Sequence, residues 1–154
     1  CQIFLFAFLF YGYITDIKLL NETLEEEIIM LEMYKCKHCG NIVVNIHNSG
    51  VPIVCCGEPM AKLEANTVDA AQEKHVPVVN VEGNKVTAKV GSVEHPMTEE
   101  HFIEFIILET EKGLEVKKLT PEDKPEAVFA VAEGDKAVAV YEYCNLHGLW
   151  KVEL

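Results

Sequence analysis

Four of the six cysteines crowd into positions 36 to 56, as Cys36-x-x-Cys39 and the adjacent pair Cys55-Cys56. No other feature restricts the chain's fold so tightly. A segment this short cannot bury a sufficient core of its own, so something besides apolar packing must hold it. In a small secreted domain the cluster would suggest disulfides, whereas elsewhere tight C-x-x-C pairs more often bind metal. Neighbouring cysteines rarely bond each other, yet both can point at one ion. A glycine follows each pair, Gly40 and Gly57, permitting a tight knuckle whose amide N–H groups face the sulfurs. Four thiolates suit Zn²⁺ or a single iron in tetrahedral sulfur. A structural zinc ribbon is the plainer alternative, but ordinary ribbons use two C-x-x-C knuckles and this chain has one. His38, inside the knuckle, and His47, in an Asn/Gly-rich turn, are expected to be exposed and not to ligate.

Downstream the pattern changes to short strands separated by turns. "VPVVNVEGNKVTAKVG" reads as a hairpin turning at Glu82-Gly83-Asn84. "HFIEFIILET" is a longer apolar strand followed by "GLEVKKL", and "EAVFAVAEGDKAVAVYEYC" reads as a further hairpin turning at Glu133-Gly134-Asp135. Without an amphipathic helix of convincing length, this spacing indicates an antiparallel sandwich or barrel. The division expected is a metal-binding domain over 30–66 and a β-domain over 67–154.

The β-domain collects four histidines, His75, His95, His101 and His147, and one cysteine, Cys144, all beside loop signals: "EKHVP", "VEHPM", "TEEHF" and "CNLHG". A lone His is usually a satisfied surface or core residue; four with a Cys at strand ends are a stronger coincidence. Five such donors are one too many for tetrahedral zinc. A six-coordinate metal held by five keeps one position open, which favours redox iron with room for a small ligand.

Charge narrows the partners. The net charge is −12, and all 13 basic residues are Lys. An acidic chain without Arg argues against nucleic acid, since phosphate binding relies on basic patches and bidentate Arg. The opening run "CQIFLFAFLFYGYI" is too short for a membrane-spanning helix, and it lacks the basic start and cleavage site of a secretory signal. We expect translation to start at Met30 or Met33, making 1–29 a non-native leader; the competing expectation is a membrane-associating N-terminus. Retained free thiolates suit the cytoplasm.

Taken together, Cys36-x-x-Cys39…Cys55-Cys56, "EKHVPV", "GSVEHPM", "EEHF" and "EYCNLHGLWK" resemble the desulfoferrodoxin family, the two-iron superoxide reductases, from about Tyr34 to Leu154. The resemblance implies a mainly β chain, a small desulforedoxin-like domain followed by an immunoglobulin-like antiparallel β-sandwich. It also implies two mononuclear irons per chain. Cys36, Cys39, Cys55 and Cys56 would hold the first; His75, His95, His101 and His147 would ring the second, with Cys144 as axial thiolate. Glu73 would be the carboxylate able to take the sixth position in the resting state, and Lys74 the catalytic cation. The implied activity is one-electron reduction of superoxide to hydrogen peroxide, with a rubredoxin-like donor and a homodimeric assembly. A non-catalytic iron electron-transfer protein is the alternative, and a structural zinc protein with an incidental His-rich domain a third. Asn145 is a candidate for orienting the thiolate through its backbone N–H.

Overall fold

The computed structural model describes residues 31–154, so the expectations for 1–29 lie outside the described residues. Residues Leu31–Leu154 form one compact unit. It begins with β1 (Glu32–Lys35), β2 (Ile42–Asn45), β3 (Val54–Cys55), β4 (Glu58–Pro59) and β5 (Ala61–Lys62). Strand β1 lies between β2 and β5, and β3 pairs only with β4. A one-turn helix, α1 (Gln72–His75), leads into β6 (Pro77–Glu82), β7 (Lys85–Val90), β8 (Ile103–Thr110), β9 (Leu114–Lys118), β10 (Glu126–Ala130), β11 (Ala137–Cys144) and β12 (Gly148–Glu153).

These seven longer strands make two antiparallel sheets, ordered β10-β7-β6 and β12-β11-β8-β9. Between them lies the main core, built by Val86, Ala88 and Val90 of β7, Ala127 and Phe129 of β10, Ile106 and Leu108 of β8, and Val140 of β11. Alternate residues of β8 and β11 point the other way, and they too are buried. Ile107, Tyr141 and Tyr143 pack there with Met33 of β1. The central strands β8 and β11 are thus covered on both faces, whereas the edge strand β9 is exposed. This explains why "FIIL" runs apolar without alternation, as strands buried on two sides do.

Polar ties reinforce that second layer. The Tyr141 hydroxyl donates to Glu109 at 2.8 Å, and Glu109 also accepts the Leu31 N–H at 3.0 Å. The Lys35 ammonium donates to the Tyr143 hydroxyl at 2.7 Å.

The first hairpin forms as expected, with β6 and β7 paired from Pro77↔Val90 to Glu82↔Lys85 around Gly83-Asn84. The second does not. Strand β10 pairs with β7, whereas β11 pairs with β8 and β12. Glu133-Gly134-Asp135 therefore crosses from one sheet to the other. Both arms, "AVFAVA" and "AVAVY", are apolar throughout, and such a run marks a strand without naming its neighbour.

Candidate metal centres

Register brings the β-domain's ligand-type residues together. Pro77 pairs with Val90, and Cys144 pairs with both Ile103 and Gly148. The start of β6, the end of β7, the start of β8 and the β11–β12 turn consequently share one end of the sandwich. His75 ends α1 just before β6, His95 and His101 lie in the β7–β8 connection, Cys144 ends β11, and His147 lies in the next turn. A register shift between Tyr143 and Cys144 marks a bulge there, a device that re-aims the side chain at its end.

The four imidazoles form a square. Ring centroids around the circuit His75, His95, His101, His147 stand 4.9, 4.5, 4.9 and 4.7 Å apart, and the His75–His101 diagonal is 6.5 Å. Neighbouring rings meet edge to face at 73–79°. The Cys144 sulfur lies 3.5 Å from His147 Nδ1, and one donor atom from each of the five residues falls within 4.8 Å of all the others.

Two of the rings are fixed from their far side by backbone carbonyls. His75 Nδ1 bonds the Ala71 carbonyl at 2.8 Å and His95 Nδ1 the Pro96 carbonyl at 2.6 Å, which turns both Nε2 atoms toward the middle. Trp150 stacks on His75 at 5.0 Å and 21°. The Nε2 atoms of His95 and His101 are buried without a hydrogen-bond partner among the described residues. Burial pushes the His95 imidazole down to about 4, and it lowers His75 and His101 as well. Those three rings are thus neutral near pH 7, the form that ligates metal. Burial raises the Cys144 thiol, opposed by backbone N–H groups of His147 and Leu146. The Asn145 N–H does not face the sulfur as expected: it bonds the Phe102 carbonyl at 3.2 Å.

These donors fit a metal ion. Orphaned, buried imidazole nitrogens aimed at a common point carry a desolvation cost that a cation removes. The 3.0 Å between His75 Nε2 and His147 Nδ1 matches two ligands each about 2.1 Å from one ion at right angles. Nitrogen from four sides and one sulfur suit iron with a sixth position to spare.

Glu73 and Lys74 precede His75 on α1, both exposed. Neither makes an ion pair or side-chain hydrogen bond among the described residues, so they are not paired with each other. Their charges still reach the site: Lys74 lowers His75 and His101, and Glu73 raises His75. The helix is seated against Gly91, where φ is +76° and an added Cβ would come within 2.7 Å of the Glu73 and Lys74 carbonyl oxygens. The Glu73 carbonyl accepts the Val93 N–H at 2.9 Å.

The second cluster is the four-cysteine one, where all donor atoms again lie within 4.8 Å. Cys39 and Cys55 sulfurs are 3.6 Å apart, Cys55 and Cys56 3.9 Å, and none is in a disulfide. A tetrahedron with metal–sulfur bonds of about 2.3 Å has edges of about 3.8 Å, so this set also fits. Gly40 and Gly57 take the left-handed conformation expected of them, and Cys56 does so as well at φ 53°. Backbone N–H groups of Cys39 and His38 draw Cys36 down to about 6, whereas hydrogen bonding with Cys39 and Cys55 holds the proton on Cys56 and pushes it up to about 12. Sulfurs this close cannot all ionise without a cation among them. His38 and His47 are exposed, and His38 pairs with Glu58 at 3.1 Å. The two clusters accommodate two mononuclear iron ions per chain.

Two residues beside the site, Trp150 and Glu142, are not among the ligands expected from the sequence. Glu142, two positions before Cys144, is fully buried with both carboxylate oxygens unpartnered among the described residues. Burial raises it well above the usual carboxylate range. Its alternation with Val140 and Cys144 in "VYEYC" already marked it as inward-facing.

Comparison with known proteins agrees with this geometry. The desulfoferrodoxin family model matches residues 67–153, and that of the desulfoferrodoxin N-terminal domain matches 30–63. The chain belongs to the desulfoferrodoxin family. The desulfoferrodoxin of Syntrophotalea carbinolica is 52% identical over 123 residues, covering 80% of this chain and 96% of that protein. The desulfoferrodoxin of Nitratidesulfovibrio vulgaris is 54% identical, covering 79% and 95%. Among solved structures, the superoxide reductase from Treponema pallidum superposes with a TM-score of 0.68 at 40% identity, covering 80% of this chain and 99% of that one. The mainly β architecture expected from the sequence is the one these desulfoferrodoxin relatives support.

Proposed function

We propose that this chain is a superoxide reductase, converting superoxide to hydrogen peroxide by one-electron reduction at a mononuclear non-haem iron. The observation that carries the reading is the square of four imidazoles with a buried thiol, five donors within 4.8 Å. The likeness to the Treponema pallidum superoxide reductase supports it. His75, His95, His101, His147 and Cys144 would hold this iron, and Cys36, Cys39, Cys55 and Cys56 would hold the other. When bound, iron in the histidine site supplies the single electron, and two protons complete the peroxide.

The chain's own residues do the rest. Lys74 draws in the superoxide anion, which the net charge of −12 otherwise repels. Glu73, beside it on the exposed face of α1, would be a carboxylate able to ligate the metal in the resting state. The amides of Leu146 and His147 steady the sulfur's negative charge. A rubredoxin-like carrier returns the electron, the protein works as a homodimer, and it acts in the cytoplasm. Among the described residues no helix is long and apolar enough to cross a membrane.

The test is metal analysis followed by rapid mixing with superoxide. Two irons per chain, a visible band of the second centre that responds to superoxide, and peroxide formed without oxygen release are expected. A colourless, zinc-loaded protein overturns the reading. Two irons with no response to superoxide would leave the non-catalytic electron-transfer protein.

A further inference from the structure

His101 differs from the two buried rings of the square. His75 and His95 each have a backbone carbonyl on Nδ1, whereas no protein group bonds the His101 ring among the described residues. Its backbone N–H is occupied locally, bonding the Thr98 carbonyl at 3.1 Å and the Thr98 hydroxyl at 3.2 Å. With no bond on the ring itself, its aim depends on where the backbone around it is held.

One side chain holds that backbone on both sides. The Asn145 Oδ1 accepts the Phe102 N–H at 3.0 Å, and its Nδ2 donates to the Glu100 carbonyl at 2.9 Å. These are the residues immediately before and after His101. The partners fix the amide's orientation, because a backbone N–H can only donate and a carbonyl only accept. The Asn145 N–H adds a third bond, to the Phe102 carbonyl at 3.2 Å. Asn145 itself follows Cys144 and stands two residues before His147.

We propose that Asn145 is the positioning residue that sets His101 against the Cys144–His147 turn, so that a ligand without its own ring support still meets the metal. A carboxamide is required because the task needs one acceptor and one donor on the same short side chain. Asp offers no donor to Glu100, and Ala offers neither group. This rests on the reading that these five residues hold iron.

The experiment measures iron retention against a chelator in the full chain, for the wild type, Asn145→Ala, Asn145→Asp, His101→Ala and the His101→Ala/Asn145→Ala double variant. The visible band of the four-cysteine centre serves as the folding control in every sample. Loss of a group that orients a metal ligand typically weakens metal binding by about 10- to 100-fold. We therefore expect Asn145→Ala to release histidine-site iron about tenfold faster, and Asn145→Asp to fall between it and the wild type. In the His101→Ala background the Asn145→Ala change should alter retention by less than about twofold, since the ring it serves is gone. Equal losses in both backgrounds, or unchanged retention in Asn145→Ala, would overturn the assignment. If Asn145→Ala fails to fold, an Asn145→Asp chain indistinguishable from wild type overturns it equally. A wild type retaining no iron at the histidines would instead refute the underlying metal reading.

Discussion

Cys144 is wholly enclosed, and burial alone would keep it a thiol. Only a cation in front of it makes the thiolate the stable form. Cys144→Ser should abolish the visible charge-transfer band of the second centre while leaving the four-cysteine spectrum in place; absorption spectra of the two proteins check it. Lys74 acts from the surface, through charge. Lys74→Ala should slow the second-order reaction with superoxide by about tenfold at low salt and flatten its dependence on ionic strength. Stopped-flow rates across a salt series measure both, and an unchanged rate would remove Lys74 from the encounter. At this scale the sequence was highly legible. Cysteine and histidine are rare enough that four thiols, and then four imidazoles beside loop signals, stood out. Glu142 and Trp150 did not, because a carboxyl in "YEYC" and an indole in "GLW" acquire their meaning only from what faces them.

Among the elements, α1 is the least self-sufficient: a single turn carrying Glu73, Lys74 and His75, with no side-chain N-cap bond. Tertiary contact must hold it, as isolated helices of this length do not persist. Gly91 provides the seat. Gly91→Ala would drive a methyl group against three backbone oxygens at 2.5–2.7 Å and strain a left-handed residue. Overpacking of this kind costs about 1–3 kcal/mol, and a strained left-handed backbone about 1–3 kcal/mol more. Thermal unfolding should show the loss, and the second centre's band should weaken, since both His75 and the loop to His95 are displaced. The elements themselves were mostly readable from alternation and turn residues. The pairing of β10 was not, because its partner β7 lies far back in the chain. Strand β11 illustrates the other limit: its near-continuous burial needs a cover on both faces, and the cover, Met33, comes from a separate stretch of sequence.

The whole unit has two different kinds of support. The sandwich core closes around its own apolar residues, whereas the knuckles carrying Cys39, Cys55 and Cys56 are exposed or half-exposed. Removing metal should therefore affect them unequally. After chelation, amide hydrogen exchange should accelerate over residues 36–60, while β7, β8 and β11 keep their protection. Uniform loss of protection would mean that the sandwich, too, depends on the metal.

The stacking of Trp150 on His75 has an optical consequence. The chain contains one tryptophan, and its ring lies 5.0 Å from a ligand-type imidazole. Intrinsic fluorescence excited selectively at the indole therefore comes from a single emitter placed against the histidine square. Filling that square with iron should dim the emission, and stripping it should restore the signal, so the unlabelled protein reports its own metal loading.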